Sequence, residues 1–294
     1  MKSDPTLLKS LVSFQRLRLS FPRRAALALL PAALLMTFAP AEPLIVAHRG
    51  ASGIAPENTL AAFKLGFEQK AYAIEGDFYL TKDAQIVALH DKDTARVTGK
   101  TKTLIPSEST LAELQALDVG LWKGAAYKGE KAPSLAETMA VIPPDGHFFL
   151  EIKSGPEILP ALFKELEKGP LKPEQITMIC FNKEVVRQYK EKAPERRAIW
   201  LVSIKGGKDG APGPVPALDE VLKTARATKA DGVGFSANEH TDEVFVKAIK
   251  DAGLIASAWT INDPAAAQRF RDYGVDYITT DFPAKISEAL AAPR

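Results

Sequence analysis

GVGFSANEHTDEVFVKAIKDAGLIASAWTINDPAAAQRFRDYGVDYITTDFPAKISEALA, residues 232–291, repeats one pattern three times. A short apolar run (232–236, 254–259, 276–279) is followed each time by a stretch with apolar residues three and four apart (242–252, 263–273, 284–291). The short runs read as strands and the longer stretches as helices. A strand that is followed by a helix and then by another strand returns the chain to the same edge, so the strands run parallel.

Working outward from this stretch, the same alternation extends to residue 44. Strands are expected at 44–47, 72–80, 147–152, 176–181 and 198–203, with a short extra one at 85–89. Helices are expected at 58–69, where Leu60, Phe63 and Phe67 share a face, and at 157–168, 183–192 and 217–228. Ser134 and Glu137 form a capping-box pattern that opens a further helix. Eight main strands in about 250 residues match a (β/α)8 TIM barrel of the α/β class. The rival, an open doubly wound sheet, carries a Gly-rich first turn. Here the first turn reads His48-Arg49-Gly50, without G-x-G-x-x-G. Residues 92–133 are too long for a βα loop and are expected to form a small inserted subdomain, or lid, after the second strand. A Gly/Pro-rich loop is expected at 205–216.

The chain has 294 residues, of which 46% are hydrophobic and 25% charged, which excludes a disordered chain, a collagen-like repeat and a polytopic membrane protein. Its 38 bases and 36 acids are unevenly placed. Residues 1–41 hold six bases and one acid, leaving 32 bases and 35 acids in the rest. A mildly acidic body argues against a nucleic-acid partner. The single cysteine, Cys180, excludes an intrachain disulfide and a cysteine zinc site and reads as core packing.

Residues 1–41 are expected to be an export signal. Arg16, Arg18, Arg23 and Arg24 precede an apolar run at 25–39, and Ala39-Pro40-Ala41 supplies small residues for cleavage. Pro31 interrupts a run already short for a membrane span, so an uncleaved anchor is the lesser reading. Arg23-Arg24 is a weak match to a twin-arginine signal. The mature domain would then be 42–294, periplasmic or secreted and without stable membrane insertion.

A barrel of this class places its chemistry at the C-terminal ends of its strands. His48, Arg49, Glu57 and Asn58 follow the first strand. Glu75 and Asp77 end the second, His90 and Asp91 follow the extra strand, and Glu151 and Lys153 end the third. Trp259 ends the seventh strand and Asp281 follows the eighth. Glu75 and Asp77, two apart, project from the same face. Paired carboxylates that share a face repel one another and lose solvation, unless a divalent cation or basic partners sit between them. With Glu151 they make a hard-oxygen set suited to Mg²⁺ or Ca²⁺. Solvation of the acids, or pairing with Arg and Lys, is the plainer alternative. Arg49 and Lys153 suit a phosphate, and equally balance the acids. His48 and His90 could accept and donate protons, while Asp91 and Asp281 could orient a histidine or a loop. His147 opens a strand at the stability face and reads as structural. His240, in a loop after the sixth strand, could touch substrate. Trp259 is expected either to wall the site or to fill the core.

The segments AHRGASGIAPENTLAAF (47–63), IEGDFYLTKDAQIVALHD (74–91), FLEIK (149–153), SAWTIND (257–263) and GVDYITTDFP (274–283) resemble the glycerophosphodiester phosphodiesterase family, in family order and over nearly all of the mature chain. The resemblance implies a metal-dependent enzyme that hydrolyses small-molecule glycerophosphodiesters to glycerol 3-phosphate and an alcohol. It implies Glu75, Asp77 and Glu151 as metal ligands and His48 and His90 as the acid/base pair. Arg49 and Lys153 would bind phosphate, Trp259 would line the glycerol site, and Glu57 would be a first-loop support or substrate contact. Two departures stand out: Phe78 replaces a small aliphatic and Ala84 a common glycine. Two further readings are a phospholipase-type barrel acting on lysophospholipid or sphingolipid headgroups and a non-catalytic glycerophosphodiester-binding protein.

Overall fold

Alternation of side chains along each strand sorts the core into two layers. On the strand Ala73–Leu80 (β2), Ile74 and Phe78 join the large cluster beneath the helices, while Ala73 joins a separate cluster inside the barrel. The strand His147–Ile152 (β4) divides likewise: Phe148, Leu150 and Ile152 face the helices, and Phe149 faces the interior. The structure, a computed structural model, describes residues 42–206 and 214–291. The leader assigned to residues 1–41 and the middle of the 205–216 loop lie outside the described residues.

The first strand is β1 (Leu44–Ala47), and β3 (Ile86–Ala88) lies between β2 and β4. Then come β5 (Ile176–Cys180), β6 (Arg197–Val202), a two-residue hairpin β7 (Lys205–Gly206) and β8 (Pro214–Val215), β9 (Gly232–Ser236), β10 (Ile255–Trp259) and β11 (Tyr277–Thr280). The sheet order is β1-β11-β10-β9-β6-β5-β4-β2, and β1 pairs again with β2, so the sheet closes. All these pairings are parallel; only β3 joins antiparallel, at β2. This is the (β/α)8 barrel expected from the alternation. The hairpin of β7 and β8 falls where only a loop was expected.

Helices α1 (Leu60–Glu68), α2 (Leu111–Gln115), α3 (Leu135–Ala140), α4 (Leu159–Lys168), α5 (Lys183–Lys192), α6 (Leu218–Thr228), α7 (Glu243–Asp251), α8 (Pro264–Tyr273) and α9 (Pro283–Ala291) complete the chain. Capping side chains fix where several of them start. Thr59 accepts from the Ala62 amide, which begins α1 two residues after the expected 58. Ser134 and Glu137 close the capping box of α3, as their spacing implies. Asp242 and Asp263 cap α7 and α8. Each buried Leu, Ile or Phe beneath these helices contributes roughly 1.5–3 kcal/mol by leaving water.

Residues 92–133 hold α2 and short 3-10 turns, and Val97, Leu114, Val119 and Ala132 cluster there with Val87 and Leu89 of the β3 region. The stretch therefore has a small core of its own at the side of β3.

Candidate active site

The turn after β1 is built for close approach. Gly50 has φ +77, and a Cβ there would lie 2.4 Å from the Ala62 carbonyl carbon. Arg49 (φ 54) and Asn58 (φ 57) both occupy the left-handed region, which disfavours residues with a side chain and marks a site where the surroundings enforce geometry. The result is specific. The Arg49 amide donates to Glu75 Oε2 at 2.8 Å, and its guanidinium donates to Glu57 Oε1 at 3.0 Å. Asn58 donates to Asp77 Oδ2 at 2.9 Å and accepts from the Asp77 amide at 3.1 Å.

Glu75 and Asp77 project together into the barrel, and Asp77 pairs in register with Glu151 on β4. Exposure of the three is 2%, 1% and 8%, and a ligand oxygen from each lies within 4.8 Å of the others. Lys153 Nζ sits 2.8 Å from Glu151 and 3.3 Å from Asp77, and Arg49 Nε sits 3.3 Å from Asp77. Burial raises the Glu75 carboxyl well above its ordinary range, and Asp77 and Glu151 add repulsion. Glu151 is pushed up to about 7 by burial and by Asp77. Burial would raise Asp77 as well, but Lys153 and Arg49 outweigh it and hold that carboxyl low. Glu75 Oε1 is buried with no hydrogen-bond partner. A buried orphan oxygen, flanked by two other carboxylates, is a polar group short of a cation. The all-oxygen donor set fits a hard divalent ion.

Two imidazoles line the same cavity as this triad, each braced by a carboxylate. His48 Nδ1 lies 2.6 Å from Asp281 Oδ1, and His90 Nδ1 lies 2.8 Å from Asp91 Oδ1. An ionised carboxylate only accepts, so each Nδ1 carries a proton and each Nε2 is left for chemistry. Asp281 also accepts from Ser52 (2.9 Å) and Asn262 (2.6 Å), and these bonds with that to His48 overcome burial to hold it at about 2. Asp91 is held at about 2 chiefly by Arg96. Burial, partly offset by Asp77, lowers His90 from its usual range.

A cavity of about 140 Å³ joins these groups. Its polar wall is His48, Arg49, Glu75, His90, Glu151 and Lys153. Its apolar wall is Phe149, Ile179, Phe181, Leu201 and Trp259, with Ser257, Thr260 and Thr279 between. Trp259 packs edge-on against Phe181 at 5.5 Å, and its buried Nε1 has no partner. Such a wall suits a short carbon skeleton beside a charged group.

Eight of the nine site residues read from the sequence converge here: His48, Arg49, Glu75, Asp77, His90, Glu151, Lys153 and Trp259. Glu57 stands one step back, with its carboxylate taken by Arg49 and Arg96. Arg96 was not anticipated. From the stretch that follows β3 it donates to both Glu57 oxygens (2.9 and 2.7 Å) and to Asp91 (2.7 Å), bridging the first loop to the His90 brace. Its signal in the sequence is only a base five residues after Asp91. His147 stacks on Tyr72 at 4.2 Å at the opposite end of the barrel. His240 lies outside the cavity lining, packed against Gly206. Cys180 is buried, its thiol pushed up to about 12 by desolvation. Phe78 points outward against Phe148, away from the chemistry.

Barrel and site together define a (β/α)8 enzyme whose cavity brings a buried acidic triad together with two imidazoles and two basic side chains. Residues 48–285 match the model of the glycerophosphoryl diester phosphodiesterase family. The chain is 34% identical to YhdW of Bacillus subtilis (strain 168) over 242 residues, covering 81% of this chain and 94% of that one. It is 30% identical to a glycerophosphodiester phosphodiesterase of the same organism over 257 residues, covering 82% and 84%. A phosphodiesterase from Oleispira antarctica, solved with its product sn-glycerol-3-phosphate, superposes with a TM-score of 0.75 at 29% identity, covering 85% of this chain and 98% of that one. The chain belongs to the glycerophosphoryl diester phosphodiesterase family and is an enzyme of that activity.

Proposed function

We propose that this protein is an exported, metal-dependent phosphodiesterase that releases glycerol 3-phosphate from glycerophosphodiesters by acid–base catalysis between His48 and His90. The observation that carries this reading is the pair of imidazoles, each fixed at Nδ1 by its own carboxylate, in one cavity with the triad. The product found in the Oleispira antarctica phosphodiesterase supports the substrate class.

Glu75, Asp77 and Glu151 would hold one Mg²⁺ or Ca²⁺, which when bound supplies positive charge to the phosphate oxygens and lowers the pKa of a bound hydroxyl. Arg49 and Lys153 line the same cavity and neutralise the non-bridging oxygens as charge builds in the transition state. Trp259 and Phe149 wall the glycerol. The glycerol hydroxyl next to the ester attacks phosphorus and gives its proton to one imidazole. The bond from phosphorus to the headgroup oxygen breaks, and the other imidazole protonates that oxygen. Water then opens the cyclic phosphate with the two roles exchanged, which regenerates both rings.

Each imidazole accounts for about 10²–10⁴-fold in rate. His48→Ala and His90→Ala therefore each lose most of kcat while retaining a folded circular-dichroism spectrum. Near-normal turnover in either variant removes that ring from the mechanism. EDTA abolishes activity, and Mg²⁺ or Ca²⁺ restores it.

The basic residues before 25–39 and the small residues Ala39-Pro40-Ala41 support residues 1–41 as a cleaved signal, with residues 42–294 as the mature enzyme. N-terminal sequencing of protein recovered from the periplasm or medium reads a start at Glu42 on this proposal. A full-length chain in the membrane fraction overturns it.

A further inference from the structure

The catalytic cavity adjoins a second depression of about 810 Å³, and the two share His90 and Lys153. Tyr79, Lys92, Asp93, Arg96 and Lys100 line the rest of it, mostly from the inserted subdomain. A diester phosphate set beside both imidazoles has its glycerol in the small, partly apolar-walled cavity. Among the described residues, this groove is the adjoining space for its other ester arm, past His90.

The charges of the groove are unequally spent. Arg96 is taken by Glu57 and Asp91, Asp91 is also taken by His90, and Lys153 is taken by Glu151 and Asp77. Asp93 accepts from the Ala95 amide. Lys92 and Lys100 are exposed, and their ammonium groups make no hydrogen bond or ion pair among the described residues. Tyr79 is the one aromatic residue of the lining, and its hydroxyl is turned to the His90 carbonyl at 3.3 Å. The described lining therefore offers no aromatic cage for a quaternary ammonium group, whereas two uncommitted ammonium groups suit an anion.

Resting on the phosphodiesterase reading above, we propose that this groove is the headgroup subsite and that it selects polyol headgroups bearing a phosphate. Lys92 and Lys100 are its specificity determinants, and the leaving alcohol departs past His90.

The test compares initial release of glycerol 3-phosphate from bis(glycerophospho)glycerol, glycerophosphoglycerol and glycerophosphocholine by the metal-loaded enzyme at low ionic strength. The expected result is a kcat/KM for the first substrate about five- to tenfold above the third, more than the twofold advantage of its two equivalent bonds. That is the size two solvent-exposed ion contacts give together. The Lys92→Ala/Lys100→Ala double variant brings this ratio down to about two, and added salt shrinks it in the wild type. A ratio of two or less in the wild type, or one that survives the double substitution, overturns the groove assignment while leaving the phosphodiesterase reading standing. Release from none of the three overturns both.

Discussion

Glu75→Gln separates an acidic cluster that binds a cation from one that is merely tolerated. At 4.8 Å, the outer limit for the ligand oxygens, two carboxylates repel by about 3 kcal/mol at an effective dielectric constant near 20. Glu75 faces two such neighbours and is drawn to one cation, Arg49. Setting that attraction against one repulsion leaves the other, and the proton that burial favours relieves part of it, for a net cost of about 2 kcal/mol. An amide keeps the bond from the Arg49 backbone and removes the charge. In EDTA the variant therefore melts about 4–8 °C above the wild type, at about 2–4 °C per kcal/mol for a chain of this size. A divalent cation at 100 times its dissociation constant adds about 2.7 kcal/mol to the wild type, about 5–10 °C. The variant gains little, because its site has lost a charged ligand. Differential scanning fluorimetry of both proteins, with EDTA and with Mg²⁺ or Ca²⁺, should give curves that cross in order. Equal gains in the two proteins would place the cation elsewhere. A variant less stable than the wild type in EDTA would show that Glu75 is favourably paired within the protein and refute the argument from repulsion.

Other outcomes follow from the same geometry. Arg96→Ala frees Glu57 and Asp91 together and should cost about 10- to 100-fold in kcat, as outer-shell losses do. That loss should be smaller on a p-nitrophenyl diester, whose leaving group needs no proton, and steady-state kinetics on the two substrates read it. Ala84 holds φ 56 in the turn after β2, so Ala84→Gly should raise the urea midpoint by a stabilisation of about 0.5–1 kcal/mol, with activity unchanged. For the metal-free protein, the Glu75 and Glu151 carboxyls are raised on folding. Their charged forms cost stability, so stability should fall as pH rises from about 4.5 toward 7, and cation affinity should climb over the same window. Asp91 and Asp281 act oppositely: both are lowered to about 2, so their contribution is full above about 4 and is lost as pH falls toward 2.

The barrel was legible because its evidence is local and repeated. Each strand is a short apolar run, each helix a periodic stretch, and eight of them leave few other ways to close a parallel sheet. The triad was legible for a related reason. A period of two puts Glu75 and Asp77 on one face, and Glu151 ends the strand that pairs beside them. The pairing of His48 with Asp281, 233 residues apart, was not. Both residues stood out at strand ends, but only closure of β11 onto β1 brings them together. Asn58 stood in the loop after the first strand, but nothing in the sequence tied it to Asp77. Its grip on Asp77 depends on a left-handed backbone that an asparagine adopts more readily than most residues.

Arg96 shows where such reading stops and why. It lies in a stretch without periodicity, and its partners sit five residues away in one direction and 39 in the other. No spacing rule links an arginine in an irregular segment to a glutamate in the first loop. Yet that link unites the two halves of the site. The barrel supplies the triad, His48 and the apolar wall, and the segment from β3 onward supplies His90 and the groove. Arg96 holds Glu57 on the barrel side and Asp91 on the other, which adds a side-chain link to the β2–β3 pairing that carries His90 beside the triad. Trp122 lies 5.6 Å from that guanidinium, and Lys123 donates to the Ser52 carbonyl at 2.6 Å. The segment after β3 thus touches the first loop at two points, the Glu57 carboxylate and the Ser52 carbonyl.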